Sequence, residues 1–292
     1  MIFAALLWSL DGLLRQGLYT VSTITIVALE HAFGALIFFP FLLKSYKEIQ
    51  SLSQRGWISI FWITICGGVL GTFFYTKALS YINYIELSVV VLIQKLQPLF
   101  AIALSAIILK EKLSNRFIGL ALIAMVGGYL ATFGINAFIG TWNDKKLIAS
   151  LLALLSAFCW GSSTVLGKYA LKDLSFQTVT GLRLILTALI SFIIILLTSN
   201  IIEIINLSAF HYYIIIAIVL STGTVALSIY YYGLQRLPAS HTTIFELTWP
   251  LSAVFLDWIL RGKMLGTIQL LGALMLIISM VLLTRESSNE QV

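Results

Sequence analysis

The chain has 292 residues, of which 60% are hydrophobic and only 10% are charged, and its mean hydropathy is +1.00. About a quarter of the residues of a soluble domain are charged, so this composition excludes a soluble domain. The net charge of +6 would suggest a nucleic-acid partner in a soluble protein. Here the basic residues instead lie in loops between apolar segments, so we expect a lipid bilayer and no nucleic acid as partner.

Ten apolar segments are each long enough to cross a bilayer, which takes about 20 residues. They are residues 2–20, 23–43, 57–77, 84–108, 115–135, 147–169, 176–198, 210–233, 239–260 and 265–284. Polar residues separate most of them clearly, but the segment 199–209 is only weakly polar. The sequence therefore predicts an all-α membrane protein with ten transmembrane helices.

The beginning of the chain reads as a first membrane helix rather than as a signal peptide, because no basic region is followed by a cleavage site. Seven residues precede Trp8, whereas thirteen residues from Leu147 precede the matching Trp160. Either the first helix is slightly short and tilted, or the true start codon lies upstream of Met1. The sequence leaves both alternatives open.

The second half of the chain repeats the first half in a diverged form. Residues 84–134 recur at 239–284, and Pro98 and Pro250 are each followed by a leucine 15 residues later. Further matches occur along the whole chain: Trp8 with Trp160, Glu30 with Arg183, Gly71-Thr72 with Gly223-Thr224, and Tyr75 with Tyr230. Internal duplication in a hydrophobic chain is typical of secondary transporters.

The duplication predicts two repeats, at residues 1–138 and 139–292, within one membrane domain. Each repeat contains five helices, so the second must enter the membrane from the opposite side. The repeats are then inverted and related by a pseudo-twofold axis in the membrane plane.

The distribution of basic residues predicts which side of the membrane each loop faces. With the N-terminus inside, ten loop lysines and arginines lie on the cytoplasmic side and four lie outside. This bias follows the positive-inside rule. We therefore expect a multi-pass protein of the inner (cytoplasmic) membrane with both termini in the cytoplasm.

Short motifs in duplicated order make the chain resemble the EamA family of the drug/metabolite transporter superfamily. The first helix of each half carries Trp8-Ser9 or Trp160-Gly161, and the third helix ends in a tyrosine followed by Ala-Leu or Gly-Leu. The remaining motifs are Pro98, Pro250, the Leu-Lys-Glu-Lys-Leu segment after the fourth helix, and Gly119.

The resemblance covers essentially the whole chain and implies ten helices in two sets of five. It also implies export or exchange of small metabolites, often amino acids, by alternating access. The second half departs from the family pattern at Lys263, which stands where the first half has Glu111. A helix-end ion pair is the role expected for Glu111.

Polar residues inside apolar segments are costly, at roughly 2.5–3.5 kcal/mol for a central charge, and they mark candidate functional positions. Gln94 and Gln97 share one helix face beside Pro98. The matching positions of the second half are Glu246, Trp249 and Pro250. Under the pseudo-twofold these side chains face each other near the midplane, and we predict a substrate site with helix hinges at both prolines. Alternatively, the prolines only curve the helices and the amides cross-link them.

Aromatic residues are further candidates for substrate binding: Trp8, Tyr75, Trp160 and the run Tyr230 to Tyr232, from which Tyr231 is selected. Their faces and hydrogen-bonding edges suit amphipathic or cationic ligands. For the tyrosines, the alternative is a place in the aromatic belt at the membrane interface.

Charged residues within the spans are candidates for coupling or for ion pairs. Asp11 and Arg15 are four residues apart, which suits an intrahelical salt bridge, although Arg15 could instead snorkel outward. Glu30 and Arg183 occupy matching positions, and a contact between them would brace or gate the two halves.

Lys95 points about 100° away from Gln94 around the helix. Its candidate partners are Glu246, Asp11 and Glu30, either for coupling or as a structural ion pair. Glu246 is the only carboxylate at the repeated position before the proline, and it is the candidate for binding a proton or a cationic substrate group in turn.

Signatures of enzymes are missing from the sequence: no zinc-binding His-Glu-x-x-His, no Gly-x-Ser-x-Gly and no phosphate loop. We therefore predict no enzyme, no metal site and no cofactor. An ion gradient or substrate exchange then supplies the energy.

The function predicted is secondary active transport of a small metabolite, an amino acid or a similar amphipathic solute, with protons as a candidate coupling ion. A passive channel or scramblase, and an intramembrane enzyme, are the alternatives. A monomer and a homodimer both remain open.

Overall fold

A computed structural model describes residues 1–18, 20–79, 81, 90, 93–134, 144–198, 201–249, 251–252, 259 and 266–289. Over these residues the regular structure is helical, without a strand, which confirms the predicted all-α class. Six of the described helices are long and apolar enough to cross a membrane: Thr23–Lys44, Gln54–Ala78, Asn115–Thr132, Leu147–Ala170, Phe176–Leu197 and Ala209–Arg236. Shorter apolar helices accompany them, and the count of ten spans stays a prediction.

Within its described residues, the first half contains the α-helices α1 (Ile2–Trp8), α2 (Asp11–Arg15), α3 (Thr23–Lys44), α4 (Tyr46–Gln50), α5 (Gln54–Trp62), α6 (Gly71–Leu79), α7 (Gln97–Leu104) and α8 (Asn115–Phe133). A π-helical segment, Ile63–Leu70, joins α5 to α6, and a second one, Ser105–Leu109, extends α7.

The second half contains α9 (Asp144–Ala170), α10 (Phe176–Leu197), α11 (Ile201–Ile205), α12 (Ala209–Leu220), α13 (Thr224–Arg236), α14 (Ala239–Phe245) and α15 (Thr267–Asn289).

The first and the eighth of the predicted spans are interrupted rather than continuous. The segment 2–20 breaks between α1 and α2, where the Ser9 hydroxyl donates to the Leu6 carbonyl over 2.6 Å. The segment 210–233 breaks at 221–223, where Ser221 donates to the Ala217 carbonyl over 2.6 Å. Serine hydroxyls that bond to the preceding turn compete with the helical ladder and promote such breaks.

Helices at matching positions of the two halves pack against each other. Helix α3 packs along α10, α8 along α15, and α7 against α14. The first helix of each half also packs on the third helix of the other half, α1 on α13 and α9 on α6. A twofold relation between the halves exchanges these last two contacts with each other, so the set is consistent with such a relation. The inverted topology and the boundary between 1–138 and 139–292 stay predictions, and that boundary lies outside the described residues.

The contact between α8 and α15 depends on small residues. A Cβ added at Gly127 would lie 2.8 Å from the Gly272 carbonyl oxygen, and one at Gly272 would lie 2.4 Å from the Ala131 nitrogen. In a bilayer, helices associate through close van der Waals packing rather than through the hydrophobic effect. The two glycines therefore allow the backbones to approach closely enough to hold the halves together.

Large apolar side chains cover the outside of the helix bundle. Leu36 is 70% exposed, Ile107 is 73% exposed and Leu197 is 80% exposed. An apolar surface of this kind is unfavourable in water and favourable against lipid tails. The chain is a multi-pass membrane protein.

The N-terminus of α10 is bound by a carboxylate from the other half. Ser175 is the N-cap residue, and its backbone N–H donates to Glu48 Oε2 over 2.9 Å. The Thr178 hydroxyl donates to the same oxygen over 2.8 Å. Partial burial raises the pKa of Glu48, but these hydrogen bonds outweigh it and hold the carboxyl pKa below its usual value.

The N-terminus of α3 is bound in the same way by Glu203 of α11. The Ser22 N–H donates to Glu203 Oε1 over 2.7 Å and its hydroxyl to Oε2 over 2.5 Å, while the Thr25 hydroxyl also donates to Oε2. These bonds outweigh the effect of burial and lower the pKa of Glu203. Each half thus caps a long helix of the other half.

Glu111 also caps a helix of the second half. Its Oε1 accepts from the Ala239 N–H over 2.7 Å, and its Oε2 accepts from the Ser240 hydroxyl over 2.6 Å. Both donors belong to the first turn of α14, which precedes the polar centre of the protein. The Glu111 carboxylate therefore holds the first turn of α14 in position.

Candidate functional site

The fourth helix of the first half is interrupted next to its proline. A turn at Lys95 and Leu96 separates a short helical segment from α7, which has Pro98 in its first turn. Here the Leu96 N–H donates to the Ile93 carbonyl over 3.0 Å, a three-residue rather than a four-residue spacing. Proline lacks an N–H and clashes with the preceding turn, so the break lies where the sequence predicted a hinge.

The matching segment of the second half is interrupted as well. Helix α14 ends at Phe245, and a turn follows at Glu246 and Leu247, with the Leu247 N–H donating to the Ile244 carbonyl over 3.1 Å. Pro250, the second predicted hinge, lies outside the described residues. Interrupted helices near a midplane leave backbone polar groups available for a substrate or an ion.

Glu246 connects the two interruptions. The Gln97 amide Nε2 donates to Glu246 Oε2 over 2.7 Å, and the Gln94 Nε2 donates to Gln97 Oε1 over 2.9 Å. From α9, the Thr164 hydroxyl lies 3.5 Å from Glu246 Oε1. The side chains that the sequence placed opposite one another therefore meet across the two halves.

A small cleft lies at this contact, with a cavity volume of about 10 Å³, roughly the space that one water molecule needs. Its lining includes Gln94, Lys95, Gln97, Thr243, Glu246 and Trp249. Gln94 Oε1 and Thr243 Oγ1 are buried without a hydrogen-bond partner among the described residues. Buried polar atoms of native proteins are almost always bonded, so these two atoms need polar groups of a water molecule or of a ligand. Sites for drug-sized ligands occupy roughly 300–1,000 Å³, so binding of a substrate requires the cleft to open.

Lys95 lies in the same cleft, and its ammonium donates to the Thr132 hydroxyl of α8. Of its three predicted partners, Glu246 lines the cleft with it. The other two, Asp11 and Glu30, both interact with Arg15.

Two aromatic pairs join the halves at matching positions. The rings of Trp8 and Tyr230 lie 5.3 Å apart at 47°, and those of Tyr75 and Trp160 lie 5.3 Å apart at 52°. Each pair combines the tryptophan of one half with the tyrosine of the other. The agreement in distance and angle is what a pseudo-twofold relation between the pairs produces.

Thr164 lies at the site although the sequence did not single it out, and Tyr230 lies there as a member of the tyrosine run 230–232. Their hydroxyls lie 2.7 Å apart, and Tyr230 is close to Glu246. Thr164 follows Trp160 by four residues and therefore shares its helix face.

The first half contains a compact charged network. Arg15 forms the predicted salt bridge with Asp11, and its Nη2 also lies 3.0 Å from Glu30 Oε2. The Thr222 hydroxyl donates to Asp11 Oδ1 over 2.7 Å. Arg15 therefore points inward rather than snorkelling outward.

The predicted contact between Glu30 and Arg183 is not formed, and that prediction was wrong. The break after α1 brings Arg15 to Glu30, so the glutamate pairs within its own half. Arg183 Nη1 instead donates to the Tyr231 hydroxyl over 2.9 Å, and the guanidinium carbon lies 5.8 Å from the centre of that ring. Tyr231 is fully buried and touches Tyr230, with ring centres 5.4 Å apart.

A glycine of the π-helical segment leaves space for the Arg183 side chain. A Cβ at Gly67 would lie 3.0 Å from Arg183 Nη2 and 2.8 Å from the Ser163 hydroxyl oxygen. π-Helical turns occur often at functional sites, where they shift side chains out of the regular register. Within the part of the chain that the structure describes, no group of three or more His, Cys, Asp or Glu residues could hold a metal ion.

Comparison with known proteins gives a consistent result. The sequence model of the EamA-like transporter family matches residues 1–133 and again 147–285. Riboflavin transporter ImpX of Fusobacterium nucleatum is 36% identical over 284 residues, which cover 97% of this chain and 95% of that protein. Protein LicB of Haemophilus influenzae is 27% identical over 94% of this chain and 92% of its own length.

A protein of known crystal structure shares the fold with a TM-score of 0.75 at 18% identity, covering 99% of this chain and 96% of the other. The double match and the relatives confirm the family that the duplicated motifs predicted.

Proposed function

Because the chain belongs to the EamA-like transporter family, we propose that it is a secondary active transporter that moves a small metabolite by alternating access. Two inverted five-helix repeats, with both termini in the cytoplasm, would allow the halves to rock around a central site. The matched contacts between α3 and α10 and between α8 and α15 support this arrangement. The inner membrane is the proposed location.

The hydrogen bond between Gln97 and Glu246 carries this proposal. It joins two interrupted helices of opposite halves over 2.7 Å, inside a cleft lined by further polar groups. A carboxylate at this place can accept hydrogen bonds from a substrate, or bind a proton when the substrate leaves. Exchange of the two ligands at one residue couples a proton gradient to transport.

Riboflavin is the first substrate to test, because a 36% identical relative is a riboflavin transporter. The Trp8–Tyr230 and Tyr75–Trp160 pairs offer aromatic faces to a planar ring. The buried amide oxygen of Gln94, which has no hydrogen-bond partner in the described part of the chain, could bind a hydroxyl of the sugar-alcohol chain. An amino acid is the alternative substrate, and we propose export or exchange as the direction.

Flux measurements in proteoliposomes test the proposal. Purified protein is reconstituted, and movement of labelled riboflavin is followed with and without a pH gradient and with unlabelled riboflavin on the opposite side. We expect saturable flux that either the gradient or the countersubstrate accelerates. Liposomes without protein are the control.

Non-saturable flux that ignores both driving forces would instead identify a channel or a scramblase. Absence of riboflavin flux together with saturable flux of an amino acid would identify the amino acid as the substrate. The proposed transport mechanism would stay in place.

A further inference from the structure

Arg183 is a charged residue within a predicted span, and it has no carboxylate partner among the residues that the structure describes. Both salt bridges found within the described ranges belong to Arg15. Arg183 Nε is buried and has no hydrogen-bond partner there either. Arg183 Nη1 donates to the Tyr231 hydroxyl over 2.9 Å.

Placing an unpaired cation in a membrane is costly, and such residues normally line a substrate or ion path. The matching position in the first half is Glu30, which is neutralised by Arg15 at 3.0 Å. At this pair of matching positions, Glu30 is therefore in an ion pair within its own half, whereas the Arg183 guanidinium keeps a buried donor without a partner in the described part of the chain.

The surroundings hold this guanidinium in a defined direction. Tyr231, which is fully buried, lies against the guanidinium, and Gly67 has no Cβ, which leaves room for Nη2. The helix that carries Arg183, α10, is itself capped by Glu48 at its first turn. An arginine with a fixed planar fork is suited to bind carboxylates and other paired acceptor oxygens.

Two tyrosines connect Arg183 to the cleft. Tyr231 touches the guanidinium on one side and the ring of Tyr230 on the other, with ring centres 5.4 Å apart. Tyr230 in turn stacks on Trp8 and bonds to Thr164 beside Glu246. A donor group and an acceptor group, Arg183 and Glu246, thus lie at opposite ends of one row of aromatic rings.

Resting on the proposed transport function, we propose that Arg183 binds the acceptor oxygens of the transported molecule while Glu246 binds its donor end. The substrate class is a flat or aromatic molecule with an oxygen-rich end and an N–H or O–H end. Two sources have this chemistry. A flavin has the two ring carbonyls and the hydroxyl chain, and an aromatic amino acid has the carboxylate and the ammonium group.

Ligand binding to the purified protein in detergent tests this proposal. Riboflavin and L-tryptophan are titrated separately against wild type, Arg183→Gln and Arg183→Lys, by equilibrium dialysis with labelled ligand. We expect wild type to bind one of the two, and Arg183→Gln to bind it roughly ten- to a hundredfold more weakly, because one charge-assisted bond is lost. Arg183→Lys retains the charge without the fork and should fall between the two.

A comparison of ligands makes the test specific for the oxygen-rich end. The analogue for riboflavin is its N3-methyl derivative, which crowds the two carbonyls, and the analogue for tryptophan is tryptamine, which lacks the carboxylate. In wild type the analogue should bind more weakly than the parent ligand. In Arg183→Gln the two should bind alike, because effects on the same contact are not additive.

Arg236→Gln is the matched control, since Arg236 lies at the end of α13 and stacks on Tyr232 at 3.5 Å. It should bind like wild type. Size-exclusion profiles and melting temperatures report whether the variants fold, and Arg183→Lys keeps the test open if Arg183→Gln does not.

Wild-type binding that Arg183→Gln and Arg183→Lys leave unchanged overturns the role of Arg183 and leaves the proposed transport function in place. Failure of wild type to bind either ligand overturns the proposed substrates and this inference together.

Discussion

The two halves of the protein use the same contacts at their helix ends but different residues at their centre. Ser22 and Thr25 recur 153 positions later as Ser175 and Thr178, and each pair binds a glutamate from the opposite half. At the centre, by contrast, Gln94 matches Glu246.

The difference separates the scaffold from the site. Caps and aromatic pairs keep two similar halves in register, and either half can supply them. Binding of a proton or of a charged substrate group requires a residue of a particular charge at one position. Duplication places the same residue in both halves, so one half must diverge to provide that charge. The positions at which the halves differ are therefore where substitutions should affect transport most.

Removing the central carboxylate should have the largest effect. We expect Glu246→Gln to abolish gradient-driven transport but to leave folding largely intact, because Gln is already present at the matching position 94. Asp11→Asn is the control and should be milder, since Arg15 keeps Glu30 as a partner. Transport with and without a pH gradient is measured in proteoliposomes.

Normal pH-dependent uptake by Glu246→Gln would contradict this assignment and direct attention to Asp11 and Glu30. Loss of expression would point instead to a structural role for the Gln97–Glu246 contact.

The inverted relation between the halves predicts an all-or-none difference in labelling. Single cysteines at Ser51 and at Asn143, which lies outside the described residues, are placed in a background without Cys66 and Cys159. A membrane-impermeant maleimide should reach them from opposite faces, Ser51 from the cytoplasm. Labelling of position 143 only from the cytoplasm would reject the proposed orientation.

The two aromatic pairs should be equivalent if both face the substrate. We expect Trp8→Leu and Trp160→Leu each to raise KM roughly two- to tenfold with little change in kcat, since an aromatic contact contributes about 0.5–1.5 kcal/mol beyond buried area. Trp57→Leu is the control, because that ring contacts Phe61 on its own helix. Unequal effects would show that one of the two pairs does not contact the substrate and serves only to pack the halves together.

The two glutamate caps should contribute smaller and similar amounts to stability. We expect Glu48→Gln and Glu203→Gln each to reduce stability by about 1 kcal/mol and to lower Tm by about 2–4 °C. Thermal unfolding in detergent measures this, and Lys47→Gln, an exposed neighbour, is the control. A large loss from one cap only would show that the two ends of the molecule are not equivalent.

The caps also predict how stability depends on pH. Hydrogen bonds lower the pKa of Glu48 and of Glu203 in the folded protein. Their contribution is therefore fully present above the ordinary glutamate pKa of about 4.3, and it is lost as the pH falls through the lowered value. The difference in Tm between wild type and Glu48→Gln should be constant near neutral pH and shrink in strong acid.

The sequence alone determined the helical membrane class, the duplication and the family, because hydropathy and repeated motifs are local properties of the chain. It also located the break before Pro98, since proline disrupts a helix whatever surrounds it. The facing of Gln97 and Glu246 followed from the predicted symmetry, and the structure contains that contact.

Only the tertiary structure decided which charges pair and which helix ends are capped. Glu30 binds Arg15 rather than Arg183, and Glu203 reaches Ser22 from 181 residues away. Helical periodicity gives the face on which a side chain lies, but not which of several neighbouring helices that face meets. A pairing over about 3 Å depends on those positions, so it follows only from the packed structure.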